Sequence, residues 1–130
     1  MELDVINKEH IAELLQQAKG SDRLRVAYDL RTSTDDTSQR MLNALLPGTN
    51  VPIHRHEDTS ETNICIAGRL DVVFYDKGAD GAFVESSRVS LNPNAGAYGV
   101  QIPKGAWHTV EVIEPSAIFE GKDKAYKPRE

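Results

Sequence analysis

From Arg23 onward the chain is a succession of short runs rich in Val, Ile, Thr, Phe and Tyr, each closed within a few residues by Gly, Pro, Asn or Asp. Apolar residues do not recur at helical spacing anywhere in that stretch, and many short strands cut by turn residues predict an all-β sandwich or barrel. The expected strands span 25–30, 40–46, 51–55, 62–67, 70–76, 83–91, 99–102, 109–113 and 117–121. Pro47-Gly48, Gly68-Arg69, 77–81, 92–96 and 103–105 are among the separators, with the residue types tight turns require. One helix precedes them. Ile11, Leu14, Leu15 and Ala18 share a helical face, Asn7 stands as N-cap, and Gly20 follows the last turn. At 130 residues the chain is one domain's worth. The expected organisation is a helical segment packed on the barrel (1–22), a β-domain (23–121) and a polar tail (122–130).

Charge and cysteine count narrow the chemistry. Fifteen basic against twenty acidic residues give a net charge of −5, and the Lys and Arg residues are scattered, which argues against a nucleic-acid partner. No apolar run approaches the roughly 18–20 residues of a membrane span, and Met1-Glu-Leu-Asp lacks the basic start and apolar stretch of a signal peptide. The expectation is therefore a cytoplasmic protein without a membrane partner. Cys65 is the sole cysteine, so an intramolecular disulfide is impossible and zinc sites built on two or more thiolates are excluded within one chain. Any metal must be held mainly by His, Asp or Glu.

Three of the four histidines supply such a set. His54 and His56 flank Arg55 in an extended stretch, where residues i and i+2 share a face about 6–7 Å apart, so two imidazoles can converge on one cation. Glu61 opens the next strand beyond a short turn, and His108 would bring a third nitrogen from a distant one. Three imidazoles and a carboxylate leave open positions on a five- or six-coordinate ion, and they suit Fe, Mn, Ni, Co, Cu or Zn alike. Alternation from Glu61 puts Asn63 and Cys65 on the same inner face. Cys65 then either lines a pocket or serves as a small buried hydrophobe, and Asn63 makes either a pocket or a structural hydrogen bond. By the same rule Trp107 faces away from its neighbour His108, toward core packing or a dimer contact.

The stretch from Gly48 to Gly68, with His54-Arg-His56, Glu61 and Gly68 at their places, resembles the first cupin motif, G-x5-H-x-H-x4-E-x6-G. Gly96 through His108, ending Pro103-Lys-Gly105-Ala-Trp-His108, resembles the second, G-x5-P-x-G-x2-H-x3-N. It departs by one extra residue between Gly96 and Pro103 and by Val112 in place of the final Asn. Within cupins the chain is similar to the WbuC-type metalloproteins, small bacterial proteins often encoded with surface-polysaccharide genes. That similarity runs from the leading helix through Gln39-Arg40-Met-Leu-Asn43, Pro47-Gly48, the histidine motifs and Phe119-Glu120-x-Lys122. The resemblance implies an antiparallel jelly-roll barrel with a short N-terminal helix, and one divalent transition metal per chain on His54, His56, Glu61 and His108. It also implies a homodimer, and it places Arg40, Asn43, Glu120 and Lys122 where they would reach an anionic or sugar-like ligand. The bland alternative for these four is a solvated face with surface ion pairs.

Two functions follow from such a site. The first is a metalloenzyme acting on a small sugar or acid intermediate, in surface-polysaccharide biosynthesis if the family context holds, with isomerase, epimerase, lyase-like or dioxygenase chemistry. No separate general base stands out in the sequence. The second is a non-catalytic module that uses the metal to bind or sense a small carbohydrate-like ligand.

Overall fold

The computed structural model describes residues 1–124. Helix α1 (Lys8–Lys19) is capped as the sequence predicts: the Asn7 side chain accepts the His10 amide, Glu9 lies in the first turn, and Lys19 in the last. Six strands follow: β1 (Arg25–Asp29), β2 (Gln39–Leu45), β3 (Glu61–Lys77), β4 (Phe83–Leu91), β5 (Gly99–Ile102) and β6 (Trp107–Lys122). All the pairings are antiparallel, in the order β1-β2-β6-β3-β4, with β5 also on β3.

The long ribbon of β3 and β6 determines the architecture. Phe74 pairs with His108 near one end of this ribbon, and Glu61 pairs with Lys122 at the other. A straight strand would hold Glu61 and Phe74 on the order of 40 Å apart. Instead His108 Nε2 lies 3.9 Å from Glu61 Oε2, so the ribbon is bent double. The bend falls at Gly68, where the register shifts repeatedly between Cys65 and Leu70. Gly68 has φ +89°, and a β-carbon there would clash with the Pro115 carbonyl oxygen and Ser116 Oγ. Only glycine meets both demands. Ser116, fully buried, ties the bend together: its Oγ accepts the Arg69 amide at 3.0 Å and donates to the Glu114 carbonyl at 2.6 Å.

Two of the predicted boundaries are thereby corrected. Gly68-Arg69 is a bulge inside one strand, which joins 62–67 to 70–76, and 109–113 and 117–121 likewise merge through Pro115. Segment 51–55 is not a strand. Pro52 has no N–H to give to a ladder, and only His54 pairs there, in an isolated bridge to His108.

Folding the ribbon over encloses one core. Leu45, Cys65, Leu70, Val72, Leu91, Ile102 and Ile118 meet between the two halves. A second cluster lies on the outer face of β1 and β2, where Leu14 and Ala18 of α1 pack against Leu42, Ala44 and Leu46. Each of these side chains, if fully buried, contributes on the order of 1–3 kcal/mol, less for Ala. Lys122, expected to begin the tail, ends β6, and 125–130 lie outside the described residues. No helix among the described residues is long and apolar enough to cross a membrane.

Candidate metal centre

The site forms where the ends of the folded ribbon come back together. His54 and His108 exchange backbone hydrogen bonds, His54 N to His108 O at 3.0 Å and His108 N to His54 O at 2.8 Å. The Gly105 amide donates to the His56 carbonyl at 2.8 Å. It does so from the turn that starts at Pro103, where Gly105 takes φ +82°. Thr109 Oγ1 fastens the same loop by donating to Val51 O at 2.6 Å. Backbone contacts thus supply the order that a strand would otherwise have given 51–56.

The three imidazoles converge, each offering a ring nitrogen, with these nitrogens within 4.8 Å of one another. Nδ1 of His54 lies 2.9 Å from the Pro52 carbonyl, and Nδ1 of His108 lies 2.9 Å from the Ala106 carbonyl. A carbonyl only accepts, so both rings carry the proton on Nδ1 and turn an Nε2 lone pair inward. Burial pushes the His54 imidazole down to about 4 and lowers that of His108, outweighing the help each gets from its carbonyl partner. Neutral imidazole is the form that binds a metal.

Glu61, nearly inaccessible, completes the set. Its Oε2 lies 2.8 Å from His56 Nε2, yet this atom has no hydrogen bond of proper geometry. A buried acceptor facing ring nitrogens without a donor is the arrangement an ion would complete. Burial pushes the Glu61 carboxyl up, but the contact with His56 and the neighbouring imidazoles outweigh it and leave the group lowered. A donor set of three nitrogens and one carboxylate oxygen fits a divalent transition metal. The fourth histidine, His10, stands apart on α1, edge-on to Tyr28.

A cavity of about 710 Å³ opens beside this cluster. Asn43, Glu120 and Lys122 line it, together with His54, His56 and Glu61. Glu120 has its carboxyl pushed up to about 8, first by burial and then by the Glu61 charge. The remaining expected pocket residues lie elsewhere. Arg40 is on the opposite face of β2, paired with Asp36. Cys65 sits in the core, its thiol 3.3 Å from the Ala67 carbonyl and pushed up by burial, the inert environment of a small hydrophobe. Asn63 is buried on the inner face behind the cavity, its Oδ1 without a partner. Val112, where the second motif has Asn, packs against the core.

Gln39 is the lining residue the sequence reasoning passed over. It is 4% exposed and donates through Nε2 to Glu120 Oε2 at 3.3 Å. The period of two that carries Asn43 to Met41 carries on to Gln39, so the signal was present. Trp107, expected to face away from the metal, lines the cavity with its ring 4.4 Å beneath the Arg55 guanidinium, at a distance that suits cation–π contact.

A family model described as a domain of unknown function (DUF6016) matches residues 6–89. The chain belongs to that family. No curated protein matches the sequence. Among solved structures, a cupin-2 domain containing protein from Shewanella frigidimarina is 21% identical over 76% of this chain and 80% of its own, with a TM-score of 0.56. TT1209 from Thermus thermophilus is 18% identical over 94% and 98%, with a TM-score of 0.64. The capsular polysaccharide assembling protein CapF of Staphylococcus aureus is 19% identical, with a TM-score of 0.61; the match covers 83% of this chain but 30% of CapF. CapF has also been solved with the inhibitor 3-isopropenyl-tropolone. These likenesses establish the fold: the chain has a cupin fold, mostly antiparallel β-sheet with one short N-terminal helix.

Proposed function

We propose that this DUF6016 chain is a metal-dependent cupin of the WbuC type, which holds one divalent transition metal on His54, His56, Glu61 and His108 and acts on a small sugar or acid. The observation that carries the reading is the convergence of three imidazoles, two with Nδ1 tied to backbone carbonyls, on a buried carboxylate oxygen that lacks a hydrogen bond. When bound, the ion supplies Lewis-acid polarisation of a substrate oxygen. The chain's own residues do the rest. Pro52 and Ala106 orient two of the rings, Glu61 adds the negative charge, and the cavity admits a ligand of sugar size beside them. The wider setting we propose is cytoplasmic, as a homodimer, in surface-polysaccharide biosynthesis; the likeness to CapF supports the last point through that protein's described role alone.

A non-catalytic binding or sensing module is the second reading, favoured by the absence of a histidine base outside the trio: His10 lies on α1. Metal content by inductively coupled plasma mass spectrometry, on protein purified without chelator, tests the shared premise. Near-stoichiometric metal, lost in a His54→Ala/His108→Ala variant, is expected. A metal-free wild type after reloading would refute it. Ligand stabilisation without metal-dependent turnover would then select the second reading over the first.

A further inference from the structure

The three imidazoles of the cluster are not held alike. His54 and His108 are bridged main chain to main chain in both directions, their ring centroids lie 4.4 Å apart, and each Nδ1 donates to a backbone carbonyl at 2.9 Å. Neither ring can turn without giving up that bond. His56 is fixed at its backbone, where its carbonyl accepts the Gly105 amide. Its ring stands farther out, 5.2 Å from that of His54 and 5.8 Å from that of His108. Its Nδ1 has no hydrogen-bond partner among the described residues. The polar contact the ring does make is Nε2 to Glu61 Oε2 at 2.8 Å, and that oxygen lacks a hydrogen bond of proper geometry.

Exposure follows the same division. The His56 side chain is 22% exposed against 3% for that of His108, and His56 lines the cavity whereas His108 does not. His54 also lines the cavity, but its Nδ1 is anchored to Pro52. Open space thus adjoins the one ring that no second hydrogen bond restrains. Glu61 Oε2 lies 3.9 Å from His108 Nε2 as well, so the carboxylate stays beside the anchored pair when His56 leaves it.

Resting on the metal-dependent reading above, we propose that His56 is the exchangeable ligand of the centre. His54, His108 and Glu61 hold the ion, and the His56 ring turns on its fixed backbone toward the cavity, opening a coordination position there for a neutral nitrogen or oxygen donor of the ligand. One bond from the ion to a neutral nitrogen breaks and one to another neutral donor forms, so the charge of the centre is unchanged. An anchored ring meets the ion already ordered. The His56 ring must be ordered as it binds, and its bond contributes correspondingly less affinity.

Zinc affinity, measured by competition with a chelator, is compared in the wild type, His56→Ala and His108→Ala. Partners that orient ligating histidines are worth about 10–100-fold in metal affinity, so His56→Ala is expected to weaken zinc at least tenfold less than His108→Ala does. His54→Ala takes the place of His108→Ala if that variant does not fold. A second readout needs no variant. In the zinc-loaded wild type, the ring resonances of His56 are expected to show microsecond-to-millisecond exchange by relaxation dispersion. On addition of imidazole, the probe for the opened position, they should move toward those of a metal-free ring while His54 and His108 stay in place. Equal losses of affinity in the variants, or a His56 ring as static as the other two and unmoved by imidazole, would overturn the proposal and leave the metal reading intact. A wild type that takes up no zinc would overturn both.

Discussion

The two ends of the folded ribbon are built from the same pair of strands on opposite principles. At the bend, Gly68, Pro115 and Ser116 press backbone against backbone, and the Ser116 hydroxyl is satisfied as both acceptor and donor. At the open end, three buried side-chain acceptors are left without hydrogen bonds and three imidazoles face one another. The closed end is optimised for the chain alone. The open end is complete only with something the chain does not supply, and departures from full satisfaction of this kind concentrate at functional sites.

The contrast breaks most sharply at the bend. Gly68→Ala places a β-carbon against Pro115 O and Ser116 Oγ in a backbone conformation that L residues resist. The expected cost is on the order of 3 kcal/mol or more, read as a collapse of the urea midpoint or loss of soluble protein. Ser116→Ala removes a fully buried hydroxyl and leaves the Arg69 amide without that partner. About 1–3 kcal/mol should be lost in urea denaturation, with bound metal per chain unchanged. At the open end the sign changes. Asn63→Leu exchanges a buried group with an unpartnered oxygen for an apolar one of similar size, so stability of the metal-free protein should hold or rise by up to about 1 kcal/mol. A large loss there would show that Asn63 is part of the satisfied framework and would erase the distinction between the two ends.

Much of this was legible in the sequence where local rules suffice. Asn7 and Gly20 bound α1, and the extents of β4 and β5 follow from alternation between turn residues. The convergence of His54, His56 and His108 beside Glu61 follows from motif spacing once strands are assumed. What was not legible depends on the third dimension. Gly68-Arg69 and the interval 114–116 read as strand breaks, because a linear scan cannot tell a turn from a bulge that lets one strand continue through a sharp bend. Segment 51–55 alternates like a strand, yet Pro52 and the absence of a lateral partner leave it with the single bridge at His54. Arg40 matched a family pattern but falls on the outer face of β2, while Gln39, one residue earlier, falls on the inner. A shift of one residue decides which side chain meets the cavity.

The central claim is that the ends of the ribbon meet around one ion. Anomalous diffraction from crystals grown with zinc or manganese tests it directly. The account predicts a single peak about 2.0–2.3 Å from a ring nitrogen of each of His54, His56 and His108, with a Glu61 oxygen at similar range. No peak between these residues, or a peak held by other side chains while the three rings stay unliganded, would contradict it.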